Sequence, residues 1–128
     1  MQEKKVVTGI DCHAHIMAVD LPLAPEIHSR PIRDVSAAEY LSVLGAHGIS
    51  HGVLTAPSFY GSNNALLLEA LHLHPNTLRG TVIADSNMAK ADLERQLLGM
   101  REHGVEGIRL NWIKKKSCLL YTSDAADD

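Results

Sequence analysis

His47-Gly48-Ile49-Ser50-His51-Gly52-Val53-Leu54 is echoed downstream by His103-Gly104-Val105-Glu106-Gly107-Ile108-Arg109-Leu110. In both copies a glycine closes a helical pattern, a short connection follows, and apolar residues open a strand. Upstream of the first copy, Ser36 with Glu39 three residues on forms a capping-box signature, and Leu41 and Leu44 supply an apolar stripe. His51 to Ala56 then reads as a strand and Pro57 to Asn64 as a turn-rich loop. Ala65 to His74 reads as a helix stopped by Pro75. Thr81 to Asp85 reads as a further strand. The pattern from Ala89 to His103 is helical, with Leu93, Leu97 and Met100 at helical spacing, and Gly107 to Asn111 is a last strand. At the front, the β-branched run from Val6 to Cys12 predicts a first strand, followed by a loop from Ile16 to Val35 that holds Pro22, Pro25 and Pro31. Strands alternating with helices of this length imply βαβ units, a parallel sheet and right-handed crossovers. An open doubly wound sheet and part of an eight-stranded barrel both fit that pattern.

Composition narrows the function. The chain has 128 residues, 45% of them hydrophobic and 21% charged, which is globular rather than disordered or repetitive. Twelve basic against fifteen acidic side chains leave a net charge of -3, so there is no electrostatic footprint for nucleic acid or an anionic membrane. Lys114-Lys115-Lys116 is an isolated basic trio. No apolar run approaches the ~20 residues of a membrane helix. The start reads as no secretory leader, and Cys12 and Cys118 make no disulfide framework, so a cytoplasmic protein is expected.

Chemistry concentrates in Asp11-Cys12-His13-Ala14-His15. On a regular strand, residues two apart share a face, so Asp11, His13 and His15 are expected to point one way, and Cys12, as a small buried apolar residue, the other. Two imidazoles on one face can grip a divalent metal or bind an anionic substrate, and a neighbouring carboxylate can orient one of them. The carboxyl end of a first strand is where α/β folds place their sites. His47 and His103 read as helix-end caps, His72 and His74 as surface residues, and His51 as structural. Asp85 reads as either a site residue or a helix-entry cap. No nucleophile elbow, P-loop or dinucleotide fingerprint is present.

With Ala56-Pro57-Ser58-Phe59-Tyr60-Gly61-Ser62-Asn63-Asn64 and Gly104 to Asn111, this motif resembles the amidohydrolase-related family, within it the 2-pyrone-4,6-dicarboxylate lactonase branch. The resemblance covers about residues 6 to 113 and implies the N-terminal half of a (β/α)8 barrel, about four strands and three helices. It implies hydrolysis of a small carboxylate-bearing lactone or related ring by water attack on a polarised carbonyl. His13 and His15 match the first-strand catalytic histidines. They are also the metal ligands wherever a family member holds a divalent ion, commonly zinc; the lactonase branch is thought to use none. The expected cofactor is therefore none or one divalent metal. Ser58, Tyr60, Arg109 and Asn111 match substrate-binding positions, and Lys115 falls near another. The partner implied is a small carboxylate substrate, with no nucleic acid, no membrane and no stated oligomer. The water-activating carboxylate and the remaining histidines come, in the family, from later strands. The loop after the first strand departs from the family by lacking tyrosine and carrying His28, Arg30 and Arg33.

The end of the sequence reads differently. Cys118 to Asp128 resembles the translated end of a transposase-type sequencing adapter, so residues 1–117 are expected to form the partial barrel and 118–128 a non-native tail, the alternative being a genuine acidic tail. Without it, twelve acids face twelve basic residues. A half barrel is expected to be inactive alone and to dimerise or aggregate through its open edges. Two other functions fit the residues: a zinc-dependent decarboxylase of the same superfamily, and a non-catalytic module binding a metal or small anion through His13, His15 and Arg109.

Overall fold

A computed structural model describes residues 5–111. Lys114 to Lys116, Cys118 and the expected tail lie outside the described residues. Four strands, β1 (Ile10–Ala14), β2 (His51–Thr55), β3 (Leu78–Val82) and β4 (Val105–Ile108), alternate with α1 (Ala37–Ala46), α2 (Ala65–Leu73) and α3 (Lys90–Glu102). A single 3-10 turn, Ser58–Tyr60, lies between β2 and α2. The sheet runs β1-β2-β3-β4, every neighbouring pair parallel. That order decides between the two architectures. A doubly wound sheet must reverse its strand order to place helices on both faces. Here each strand lies beside its predecessor, and right-handed crossovers keep all three helices on one face.

The helices form where expected because their ends are marked. Ser36 Oγ accepts the Glu39 backbone N–H at 3.0 Å, fixing the start of α1. The Glu39 carboxylate does not close the capping box; it pairs with Arg33 Nη1 at 2.9 Å, so that loop arginine is already partnered. Gly48 and Gly104, at φ of 71° and 99°, end the turns after α1 and α3 in the left-handed region that other residues avoid. His47 and His103 occupy the C-cap positions, and both are exposed.

Three strands sit away from the runs that announced them. β1 starts at Ile10, and Val6 and Val7 are exposed rather than paired. β3 lies three residues earlier than the Thr81–Asp85 run, and β4 two earlier than Gly107–Asn111. The reason is common to all three. Local β-branched density favours extended backbone, but hydrogen-bonded pairing sets the limits, and the register Gly52↔Leu78 and Leu54↔Gly80 centres β3 on β2.

The core lies between sheet and helices. Leu54, Leu71, Leu78 and Val82 are fully buried, joined by Ile16, Tyr40, Leu44, Ala56, Leu67, Ala70 and Val105. Two glycines permit the close approach. A Cβ at Gly52 would fall on the Tyr40 hydroxyl and within 2.8 Å of its ring, and one at Gly80 would come within 2.7 Å of a Leu67 methyl. The third helix packs less deeply: α3 has no fully buried residue, Leu97 and Met100 lie partly buried on the core, and Leu98 is exposed. Ile10 on one outer strand and Ile108 on the other are also exposed. Among the described residues no helix is long and apolar enough to cross a membrane.

Candidate active site

The carboxyl ends of β1, β2 and β4 meet around two carbonyls of one segment. His15 Nδ1 lies 2.7 Å from Thr55 O, and Arg109 Nη1 donates to Ala56 O at 2.9 Å. Thr55 ends β2 and is buried, so the strand end holds the imidazole and the guanidinium side by side. Arg109 follows β4, but its backbone N–H still donates to Val82 O at 2.7 Å, which prolongs the ladder to this residue. The His13 ring stands edge-on to His15, centroids 5.0 Å apart.

The hydrogen bond fixes the chemistry of His15. A carbonyl only accepts, so Nδ1 must carry the proton, and the neutral ring then presents a lone pair at Nε2. Burial pushes the His15 pKa below its ordinary 6.5, the Thr55 bond opposes that, and the charges of His13 and Arg109 lower it further. His15 is thus a neutral acceptor at physiological pH. The folded state binds a proton here less readily than the unfolded chain, so the stability contributed by neutral His15 is full above about pH 6.5 and is lost as pH falls through the folded value. A site-resolved NMR titration is expected to place the His15 midpoint below 6.5; a midpoint at or above 6.5 would contradict this environment.

Asp11 does not share the histidines' side. Its Oδ2 accepts the Tyr40 hydroxyl of α1 at 2.9 Å, and its Oδ1 accepts the His13 backbone N–H at 3.4 Å. Strict alternation fails because the β1–β2 pairing slips: Asp11 is opposite Gly52, yet Ala14 is opposite Leu54. One extra residue on β1 changes the parity between Asp11 and the histidines. Cys12 is exposed rather than a buried apolar residue, because Asp11 faces the helix layer and its neighbour therefore faces the side of the sheet that no helix covers. Burial first, and then the Asp11 carboxylate, push the Tyr40 pKa well up, so this hydroxyl remains a donor.

The remaining positions divide. Ser58 and Tyr60 lie on the 3-10 turn after β2, Ser58 half-buried and Tyr60 buried. The Tyr60 hydroxyl donates to Ala18 O at 2.5 Å and accepts the Ala18 N–H at 2.9 Å, which ties down the loop after β1. That loop is closed at its base by paired bonds between Met17 and Val35. Asn111 is half-buried just past β4, and His28 and Arg30 are exposed on the loop. Asp85 neither ends a strand nor caps α3; its Oδ1 accepts the Asn87 N–H in a local turn. Sequence reasoning assigned nothing to Asn64, whose buried amide pairs with both backbone polar groups of Ile83 and holds the β3 end beside α2. Nor did it single out Tyr40. The only advance sign for Tyr40 was a polar-tipped aromatic on the inner stripe of α1 opposite a strand glycine.

As a metal site the described residues are incomplete. His13 and His15 supply two imidazoles on one side, but no group of three His, Cys, Asp or Glu is assembled among them. A catalytic zinc usually takes three protein ligands.

Residues 10–116 match the amidohydrolase family model. The chain belongs to the amidohydrolase family. Among solved structures, this amidohydrolase chain is similar to an Acinetobacter baumannii protein assigned as a 2-pyrone-4,6-dicarboxylic acid hydrolase, with citric acid bound. The TM-score is 0.80 at 28% identity, over 91% of this chain and 42% of that one. It is 40% identical to a Pseudomonas putida protein given the same assignment, with a TM-score of 0.74 over 88% of this chain and 40% of that one. An apo Agrobacterium tumefaciens protein, 18% identical with a TM-score of 0.65, shares the fold over 83% of this chain and 38% of its own. The chain therefore spans about two fifths of the lengths it matches. Its four strands and three helices are the N-terminal half of a (β/α)8 barrel, and the site lies on the strand ends where such barrels carry their chemistry.

Proposed function

We propose that this chain provides the first half of a site that hydrolyses a small carboxylate-bearing lactone, 2-pyrone-4,6-dicarboxylate being the leading substrate. The observation that carries the reading is the adjacent seating of His15 and Arg109 on the Thr55 and Ala56 carbonyls. Similarity to two proteins assigned as hydrolases of that dicarboxylate supports it. One Arg109 N–H is used on Ala56, which leaves further donors of the planar fork for a substrate carboxylate. His15 Nε2 accepts, so it can take a hydrogen bond from the attacking water; it becomes a donor only as imidazolium. His13 stands beside it as the second imidazole, and Ser58, Tyr60 and Asn111 line or support the substrate side. In the reaction, water oxygen bonds to the lactone carbonyl carbon, the ring C–O bond breaks, and the ring oxygen leaves with a proton. The group that activates the water is expected from later strands of a full barrel. A divalent metal, zinc first, would use His13 and His15 as two ligands and supply Lewis acidity.

Residues 118–128 remain in this account a non-native tail, and the protein a cytoplasmic one. The test is an NMR titration of the 128-residue chain with 2-pyrone-4,6-dicarboxylate. Saturable shifts centred on His13, His15 and Arg109 are expected; shifts confined to exposed basic side chains such as Arg30, or none, would overturn the reading.

A further inference from the structure

The D-x-H-x-H spacing alone would put both histidines on the wrong side of the sheet. Asp11 faces α1, where its Oδ2 meets the Tyr40 hydroxyl, and on an unbroken strand His13 and His15 would follow it there. They do not: His15 reaches Thr55 O beside Arg109, and the His13 ring lies against His15. The change of side occurs between Asp11 and Ala14, where three steps along β1 match two along β2. A bulge of this kind withdraws a backbone N–H from the regular ladder and frees it for another acceptor. The Asp11 Oδ1 accepts the N–H of His13, within the bulge. The carboxylate is in turn held by Tyr40, and Tyr40 reaches it only because Gly52, directly opposite Asp11, has no side chain.

We infer that Asp11 and Tyr40, with Gly52 as the gap that admits them, are positioning residues that hold the β1 bulge and thereby turn His13 and His15 into the site. The inference rests on reading those histidines as site residues. Neither Asp11 nor Tyr40 touches substrate in this scheme. Asp11 ties the bulged backbone to the helix layer, and the histidine rings emerge on the opposite face as a consequence.

The test uses the 15N-labelled 128-residue chain and two readouts: the ring-nitrogen signature of the His15 tautomer, and hydrogen exchange of the His13 amide. The unchanged chain is expected to show Nδ1-protonated His15 and a protected His13 amide. In Asp11→Ala and in Tyr40→Phe, His15 should shift to the Nε2-protonated form that a free imidazole prefers, and the His13 amide should exchange roughly tenfold faster. Asp11→Asn should restore both signatures, because its carbonyl can accept from His13 and its amide can donate to the Tyr40 oxygen. Unchanged signatures in the alanine and phenylalanine variants would overturn the inference, as would an asparagine variant that behaves like alanine. Outright unfolding of Tyr40→Phe would overturn it too, since the pair would then support the whole fold rather than the two histidines. Neither readout involves a ligand, so the positioning role can stand where dicarboxylate binding fails, and the reverse.

Discussion

Gly52→Ala is expected to destabilise the chain by about 3 kcal/mol, although it adds a single methyl group to a strand. The added Cβ would occupy the position of the Tyr40 hydroxyl and lie 2.8 Å from its Cε2 and Cζ. A tyrosine ring is stiff, so it must swing out of the core as a unit. That costs ~1–3 kcal/mol in strained packing. It also breaks the bond to the Asp11 carboxylate, and a hydrogen bond to a charged group contributes ~1.5–3 kcal/mol. Gly80→Ala makes a useful contrast. There the nearest atoms are the methyl ends of Leu67 and Leu71, which can rotate away, so the loss should be clearly smaller. Urea unfolding at constant pH reads both. A Gly52→Ala loss below about 0.5 kcal/mol would mean that Tyr40 does not fill that space in solution.

The second large effect concerns binding. Arg109→Ala is expected to weaken 2-pyrone-4,6-dicarboxylate binding by about tenfold to a hundredfold, the equivalent of ~1.5–3 kcal/mol for a charge-assisted contact. Arg109→Lys should recover only part of this, because an ammonium lacks the planar fork that can hold Ala56 O and a carboxylate together. Arg109→Ala, unlike the lysine variant, should also relieve His15 of one of the charges that hold its pKa down, so its NMR midpoint should rise. Unaltered affinity in Arg109→Ala would remove the guanidinium from the site.

Much of this architecture was legible because helices announce their ends. Ser36 and the two His-Gly pairs marked where α1 begins and where α1 and α3 stop, and the structure uses them so. The strands were legible in number and order of appearance, and β2 also in position, but β1, β3 and β4 were not. Thr81 and the residues after it look more strand-like than Leu78-Arg79-Gly80, yet those three pair with β2, and Gly80 lets α2 lie closer than a side chain would allow. Packing of that kind is not written in local propensity. The site was legible as residue types, with Asp11, His13, His15 and Arg109 all singled out. Their arrangement was not, because it depends on one extra residue in β1 that two-residue alternation cannot anticipate. Tyr40 and Asn64 escaped notice for a related reason: each matters through a partner, Asp11 or the Ile83 backbone, that lies nineteen or more positions away in sequence.

The most direct test of the central claim is a hydrolysis measurement on a barrel of complete length. Residues 10–111 of this chain would replace the matched segment of the Pseudomonas putida relative, and loss of the pyrone ultraviolet absorbance would be followed with 2-pyrone-4,6-dicarboxylate as substrate. The account predicts a folded hybrid that opens the lactone and that loses this activity on Arg109→Ala or on replacement of His15 by alanine. A folded hybrid that binds the dicarboxylate without opening it, or that opens it equally well without Arg109 and His15, would contradict the account.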